Sequence, residues 1–499
     1  MWITYVYPEA RLKPGFWVMF CFLYEYPSLS YTPLMPKIIT ERSFYKYLKC
    51  PSWIAHEAKE EHLVEDALRV KLQHDGLLRE RQLALLANRP MVEVVTEDQD
   101  EAMLKTVELM AQGVQTIYRP VLVHHHWIAR PDILERVEGK SKLGEYYYVA
   151  CDIKRSRRLK DEYCFQGCFY ALLLAEVQGS KPIQGYVMHP DGVVEGYMLE
   201  NYATKFHLTL DAIERILNGE EEPHFLTSDC KQSPWFSTCK HGSASCDDLS
   251  RLNRVWRSEV KSINDAGLYT VTDFAKSTKE YLATHATGVP TDRLAFLQEQ
   301  AIALIEDRVI VLGAVDFAPG ADALIIDVES DPLRSDFHYL IGVLEVHGES
   351  SSFRSFLAKK PEEEGTMWQE FSAYLASKPA MPIYHYGYFE VDVIKTLAER
   401  HGVHHEMSPA MIMPRMVDVL TKLRDRVIFP LSFYSLKDVA KYLGFHWRTD
   451  EANGLDSISW YEHWLSAGKP EDLERIVQYN EDDVRATWHV VDWARKQGK

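Results

Sequence analysis

The chain has 499 residues, 46% of them apolar and 12% aromatic, which marks a globular protein and excludes a disordered one. Lys and Arg number 56 against 73 Asp and Glu, a formal net charge of -17. That balance excludes a protein held to nucleic acid by bulk positive charge and leaves one that meets it through a local basic strip and bound cations. Eight cysteines and no evident cleavable secretory signal point to a reducing cytoplasmic setting, where thiols are ligands or core residues more often than disulfides.

Residues 1–37 read as an N-terminal extension. Phe16 to Tyr24 is apolar but too short to span a bilayer, which needs about 20 residues, so no membrane association is expected. Prolines 8, 14, 27, 33 and 36 punctuate the region, and Met35 is the expected natural start. Ile38 to Lys49 reads as a short helix after a Thr40 cap, and His56 to Asn88 as a long charged helical stretch. Met91 to Val95 predicts a strand and Asp98 to Gln112 a helix. Strand-like runs follow at Thr116 to His124, His126 to Leu134 and Tyr146 to Ile153, then a helix from Glu162 to Gln178 and a strand from Gly185 to His189. Ser258 to Glu306 is nearly all helical, with a loop at Ile263 to Thr270 whose threonine caps the next helix. A second α/β pattern starts at Val309: strand Ala323 to Glu329, hairpin partner Tyr339 to Val346, helix Trp368 to Ser377, strand Met381 to His385 and helix Phe389 to His401. One long helix, Pro470 to Lys496, ends it.

Two acid clusters stand out. In the first, Pro131-Asp132 is read at the end of a strand, and Glu138 to Gly144 as a turn before the strand into Asp152-Ile153-Lys154. Side chains alternate along a strand, so Asp152 and Lys154 share a face. With Asp132 beside them, two carboxylates can hold a hard divalent cation, Mg²⁺ or Mn²⁺, and a lysine can orient water and offset charge building on a phosphate. Gln166 and Tyr170 lie four apart on the following helix and share its face. Taken alone, Asp-x-Lys is an ordinary polar strand exit; the order of all these parts is the signal. Pro131-Asp132, Asp152-Ile153-Lys154 and Gln166 to Tyr170 together resemble the PD-(D/E)XK nucleases in their RecB-like form. The resemblance implies a restriction-endonuclease-like fold, Asp132 and Asp152 as metal ligands and Lys154 as the catalytic lysine. It also implies an acid on an earlier helix, which Glu80 resembles, although Arg79 stands where some relatives have histidine. The basic run Arg155, Arg157, Arg158 and Lys160 is the expected phosphate track, or else a solvated loop.

Cys230, Cys239 and Cys246, with distant Cys50, are the candidate ligands of a metal centre. RecB-like nucleases often carry one cysteine before the core and three after it, which implies a 4Fe–4S cluster here. Ser233 departs from that pattern, and zinc on four thiolates or unliganded cysteines are the alternatives.

In the second cluster, an apolar strand ends in Asp327-Val328-Glu329, Glu390 follows a later strand, and Tyr479 and Asp483 share a face of the last helix. Asp327, Glu329, Glu390 and Asp483 can bracket two cations about 4 Å apart, with Tyr479 holding the attacking water. This order resembles the tyrosine form of the DEDD three-prime-to-five-prime exonucleases of the RNase H-like fold, although the third acid there is usually aspartate. Asp418 reads as a supporting acid, and Lys437 as a residue near the substrate, with helix capping by Ser435 the plainer account of that stretch.

The expected organisation is an α/β multidomain chain: extension 1–37, RecB-like PD-(D/E)XK nuclease with its cysteine cluster 38–255, a helical helix-hairpin-helix-like linker 256–308, and an RNase H-like exonuclease domain 309–499. The whole order resembles a prokaryotic family of RecB-like nucleases with a fused RNase H-like module. It implies a metal-dependent nuclease acting on nucleic acid, single-stranded DNA rather than RNA, with a role in DNA repair. The alternatives are an RNA-processing exonuclease using only the C-terminal half, and a non-catalytic nucleic-acid binding module of a repair or defence complex.

Overall fold

The computed structural model describes residues 37–59, 90–96, 98–154, 158–189, 192–222, 225–317, 322–331, 337–403, 408–449, 452 and 454–497. Among the described residues the N-terminal half holds nine strands: β1 (Ile39–Thr40), β2 (Val92–Glu93), β3 (Thr116–Tyr118), β4 (Leu122–His124), β5 (Trp127–Ala129), β6 (Ile133–Ser141), β7 (Gly144–Ile153), β8 (Gln184–Met188) and β9 (Val194–Met198). Six form a sheet in the order β2-β3-β6-β7-β8-β9, and β1-β5-β4 form a smaller one. β6 and β7 are antiparallel, while β8 runs parallel to β7 after the crossover helix Asp161–Gln178. Two readings of this region are corrected. Pro131 has no N–H to donate, so it separates β5 from β6 and leaves Asp132 just before a strand rather than at the end of one. Residues 138–141, read as a turn, continue β6 across a register shift, and the hairpin closes at Lys142-Leu143.

Alternation along β7 decides what Asp152 faces. Tyr148 and Ala150 enter the main core of this half, with Phe165, Phe169 and Tyr170 of the crossover helix. Cys151 and Ile153 join a smaller cluster with Ile133 and Met188. Asp152 therefore continues the Tyr148–Ala150 face and meets the crossover helix. Pro51 interrupts the first helical stretch, giving helices Glu41–Lys49 and Pro51–Ala58. Phe44 of the former, fully buried, packs on Phe169 with ring centroids 5.2 Å apart and clamps that helix onto the crossover helix.

Helices Arg257–Asp265, Val271–Lys276, Lys279–His285 and Thr291–Glu306 follow, and Thr270 Oγ1 accepts the Asp273 N–H, capping the second of them as expected. The C-terminal half adds β10 (Ile310–Val311), β11 (Ala323–Asp331), β12 (Phe337–His347), β13 (Ser350–Leu357), β14 (Ile383–His385), β15 (Met416–Asp418) and β16 (Val427–Ile428). Five of these form a sheet in the order β13-β12-β11-β14-β15, antiparallel through β11 and parallel beyond it. Leu324, Ile326 and Val328 point into one core cluster with Trp368 and Phe371; Ala323 and Ile325 point into another with Val484, Val490 and Trp447. Asp327 and Glu329 extend the second face, which the helix Pro470–Gln497 covers. Among the described residues no helix is long and apolar enough to cross a membrane.

Candidate active sites

The C-terminal site forms where the apolar face of β11 gives way to acids. Asp327, Glu329 and Asp483 bring ligand oxygens within 4.8 Å of one another, the single such metal-capable trio among the described residues. Trp447 Nε1 donates to Asp483 Oδ1 at 2.6 Å, and Asn480 Nδ2 donates to Asp327 Oδ2 at 2.7 Å. Asn480 fits because its partner strand carries glycine. Gly342 lies opposite Asp327, and a Cβ there would stand 1.6 Å from Asn480 Oδ1. Burial, together with Asp483, Glu329 and Glu390, raises the Asp327 carboxyl well above its ordinary range. Burial and Asp483 push Glu329 up to about 8, and burial pushes Asp483 up to about 6. Carboxylates crowded this way out of water resist sharing negative charge, which is the electrostatic signature of a cation site.

The remaining candidates sort around this trio. Glu390, 4% exposed, adds its charge to Asp327, and its Oε2 has no hydrogen-bond partner. His385 Nδ1 stands 3.5 Å from that oxygen, a neighbour that the motif spacing does not reveal. Tyr479 hydrogen-bonds Asp483 one helical turn away, and Lys437 Nζ lies 4.8 Å from the centre of the Tyr479 ring. Burial lowers the Lys437 ammonium's pKa, opposed by Asp483 and Glu329. Ser435 caps the helix bearing Lys437, as the plainer account of that stretch expects. Asp418 caps the helix Val419–Arg424 and accepts the Gly387 N–H at 3.0 Å, fixing the turn ahead of Glu390. Glu481 and Asp482 are engaged by Arg448, which separates them from Asp483.

The N-terminal site is built on Asp152, 5% exposed. Lys154 Nζ donates to Asp152 Oδ2 at 2.7 Å and to Gln166 Oε1 at 2.6 Å, and the Tyr170 hydroxyl donates to Asp152 Oδ2 at 3.0 Å. The Asp132 N–H reaches Asp152 Oδ1 at 3.3 Å, while Asp132 Oδ2 accepts the Ile153 N–H at 2.6 Å. Burial acts to lower the Lys154 pKa, but Asp152 and Asp132 outweigh it and raise it. A further acid stands here that sequence reasoning missed. Glu41 opens the helix Glu41–Lys49, is 9% exposed and accepts the Arg130 N–H at 3.2 Å. Burial and the charge of Asp152 raise its pKa against its backbone hydrogen bonds. Nothing in the spacing could flag an acid 91 residues before Asp132; the one local signal is its position after a Thr40 cap. Glu80, Arg155 and Arg157 lie outside the described residues. Arg158 is exposed, and Lys160 sits at the start of the crossover helix, 5.7 Å from the Tyr163 ring.

Cys50, Cys230 and Cys239 are buried together with Trp53 and Trp235. The Cys50 and Cys230 thiols hydrogen-bond, and that bond and burial raise the Cys50 pKa. Cys239 Sγ lies 3.5 Å from His56 Nε2, whose ring stacks on Trp235. Cys246 is a correction: it follows the last turn of the helix Phe236–Ser245, exposed and about 10 Å along that axis from Cys239, while His56 stands beside the buried thiol instead.

The central strand of the five-stranded mixed sheet and the C-terminal helix converge acids on one point, a candidate metal centre. Residues 324–495 match the RNase_H_2 family of the RNase_H superfamily, so the C-terminal third is an RNase H-like domain. No curated protein matches the chain.

Proposed function

We propose that the chain is a metal-dependent nuclease acting on single-stranded DNA, with one carboxylate centre in each half. The observation that carries this reading is the closure of Asp327, Glu329 and Asp483 to within 4.8 Å in buried surroundings. Divalent cations held there, with Glu390 completing the set, would supply Lewis-acid stabilisation and an activated water. The chain's own residues do the positioning. Asn480 and Trp447 fix the two aspartates, Tyr479 offers a hydroxyl beside Asp483 for orienting water, and Lys437 adds positive charge for a phosphate. In the N-terminal half, Asp132, Asp152 and Glu41 supply oxygen ligands of the hard-cation type, and Lys154 stands ready to offset charge on a phosphoryl oxygen. This assignment of a RecB-like PD-(D/E)XK centre rests on motif order together with the Asp152–Lys154–Gln166–Tyr170 hydrogen bonds.

The test is cleavage of end-labelled single-stranded DNA and RNA in Mg²⁺ or Mn²⁺. Asp152→Ala and Asp327→Ala should each remove a distinct part of the products, and the double variant all of them. A double variant that cuts like the parent refutes the proposal. A second reading, an RNA exonuclease using only the C-terminal centre, is favoured by the three-acid trio there, the one such trio among the described residues; it requires Asp152→Ala to be silent and ribose oligonucleotides to be preferred.

At the cysteines the same reading takes a thiolate-bound metal, zinc ahead of a 4Fe–4S cluster, with His56 as a ligand in place of Cys246. The 3.5 Å between Cys239 Sγ and His56 Nε2 matches two ligands of one tetrahedral ion, given bonds of about 2.3 Å to sulfur and 2.0–2.1 Å to nitrogen. Metal analysis of the purified protein should find zinc, lost in Cys239→Ala and kept in Cys246→Ala. Iron with labile sulfide, or no metal, would reject zinc.

A further inference from the structure

A second feature suited to nucleic acid lies away from both acid clusters. Between the helical segment and the RNase H-like domain is a notch of about 160 Å³ lined by Arg254, Trp256, Arg293, Gln300, Arg424 and Asp425. Arg293 is committed, ion-paired to Glu259 at 2.8 Å and donating to the Arg254 carbonyl at 2.7 Å. That contact holds Arg254 in the left-handed region, at φ 57°, where a residue with a Cβ is strained. Arg254 and Arg424 have no ion pair among the described residues, and Asp425, the acid of the lining, is likewise unpaired. Trp256 opens a helix, is 65% exposed and has no aromatic partner among the described residues. Independently, Gln300 is 3% exposed and its Oε1 has no donor, and Arg424 Nε is buried without an acceptor. Unmet polar atoms of this kind cost stability unless a ligand or water meets them. Asn253 anchors the notch to the RNase H-like domain by donating to the Ser432 carbonyl at 2.9 Å.

We propose that this notch is an accessory binding site for a single strand of nucleic acid. A phosphate sits between the Arg254 and Arg424 guanidiniums, and an unpaired base stacks on the open face of the Trp256 indole. In a chain of net charge -17, two uncommitted guanidiniums beside a bare indole make the local combination that single strands require, charge for the backbone and a flat face for bases. Duplex DNA offers phosphates but no free base face, so the site selects unpaired strands. The inference rests on nucleic acid being the substrate class, but not on either acid cluster being active.

The experiment is fluorescence anisotropy with fluorescein-labelled 15-mers of thymidylate and uridylate, in EDTA so that no cutting occurs, at two salt concentrations. Trp256→Ala should weaken binding roughly 5- to 150-fold, the range of one base–aromatic stack, while Trp256→Phe stays within about twofold of the parent. Arg254→Glu should weaken binding further and flatten the salt dependence by about one phosphate contact or more. Hydrolysis of bis(p-nitrophenyl) phosphate, too small to reach from a catalytic centre to the notch, should be unchanged in all three variants. A parent that leaves the anisotropy unmoved, variants that all bind within twofold of it, or a blunt duplex that binds tighter than the single strands would overturn the site. Loss of phosphodiester hydrolysis in the parent with oligonucleotide binding intact would count against the nuclease reading and leave the notch standing.

Discussion

Asn480 holds one residue, Asp327, at two points. Its amide donates to the Asp327 side chain at 2.7 Å and to the Asp327 carbonyl at 3.2 Å, and its presence there depends on the missing side chain of Gly342. Groups that orient a metal-binding carboxylate typically carry a 10- to 100-fold effect on metal affinity or activity when removed. Asn480→Ala is expected to raise the Mn²⁺ concentration needed for half-maximal cleavage by about that factor. Gly342→Ala should do the same by displacing the amide rather than deleting it. Metal titrations of both variants check this, and unchanged titrations would show that Asp327 is held by packing alone. At the other centre, Glu41→Gln keeps the shape and the hydrogen bond from Arg130 but removes the charge. Assayed in an Asp327→Ala background, it should lower the remaining cleavage by about 10- to 100-fold. A Glu41→Gln protein as active as its parent would reduce this acid to a buried structural partner.

Between the two halves, the segment carrying Lys437 is the element that links the cysteines to the RNase H-like centre. Lys231, next to Cys230, donates to Ser435 Oγ at 3.1 Å and pairs with Asp438 at 2.5 Å; Phe433 packs on Phe236 at 5.9 Å beside the cysteine cluster. Lys437 sits between those anchors and points to Tyr479. Phe433→Ala should therefore lower kcat of the C-terminal centre several-fold with little change in KM, because it loosens the lysine without touching substrate. Equal kcat values in the two proteins would cut this link. Such a connection crosses some 200 residues of sequence, and no local pattern carries it. What was legible was local. Apolar runs predicted most of β11 and β12, and the helix Phe389–His401 was predicted to the residue. Ser350–Leu357 escaped because its opening serines carry little strand signal; it forms a strand because β12 offers it an edge to pair with. Val194–Met198 escaped similarly, a short run with a central glycine that pairs along β8. The acids of β11 and the last helix could be read from order, since each sits at a fixed place on a regular element. Glu41, His56 and Asn480 could not, because their importance comes from which distant element packs beside them.

For the molecule as a whole, the RNase H-like centre sets a conflict between stability and function that pH exposes. Glu329 and Asp483 are pushed up to about 8 and about 6, and Asp327 well above its ordinary range, by burial and by one another. In the unfolded chain the same groups ionise near pH 4. Between about pH 4 and pH 8 the folded protein therefore binds more protons than the unfolded one, and stability falls as pH rises through that window. The metal-free protein should melt at a lower temperature at pH 8 than at pH 6. A divalent cation replaces those protons, so Mn²⁺ should raise the melting temperature more at pH 8 than at pH 6, and its affinity should climb with pH. Asp327→Asn removes one of the repelling charges while leaving an amide of the same shape. In EDTA at pH 8 that variant should be more stable than the parent, by on the order of 1 kcal/mol, and it should lose most of the Mn²⁺-induced gain. Thermal melts of both proteins at pH 6 and pH 8, with EDTA or Mn²⁺, read all of these at once. If Asp327→Asn melts below its parent in EDTA at pH 8, the acids are held by compensating hydrogen bonds and not in tension. In that case the cost of keeping them together falls on the fold elsewhere, and metal would add activity without adding stability.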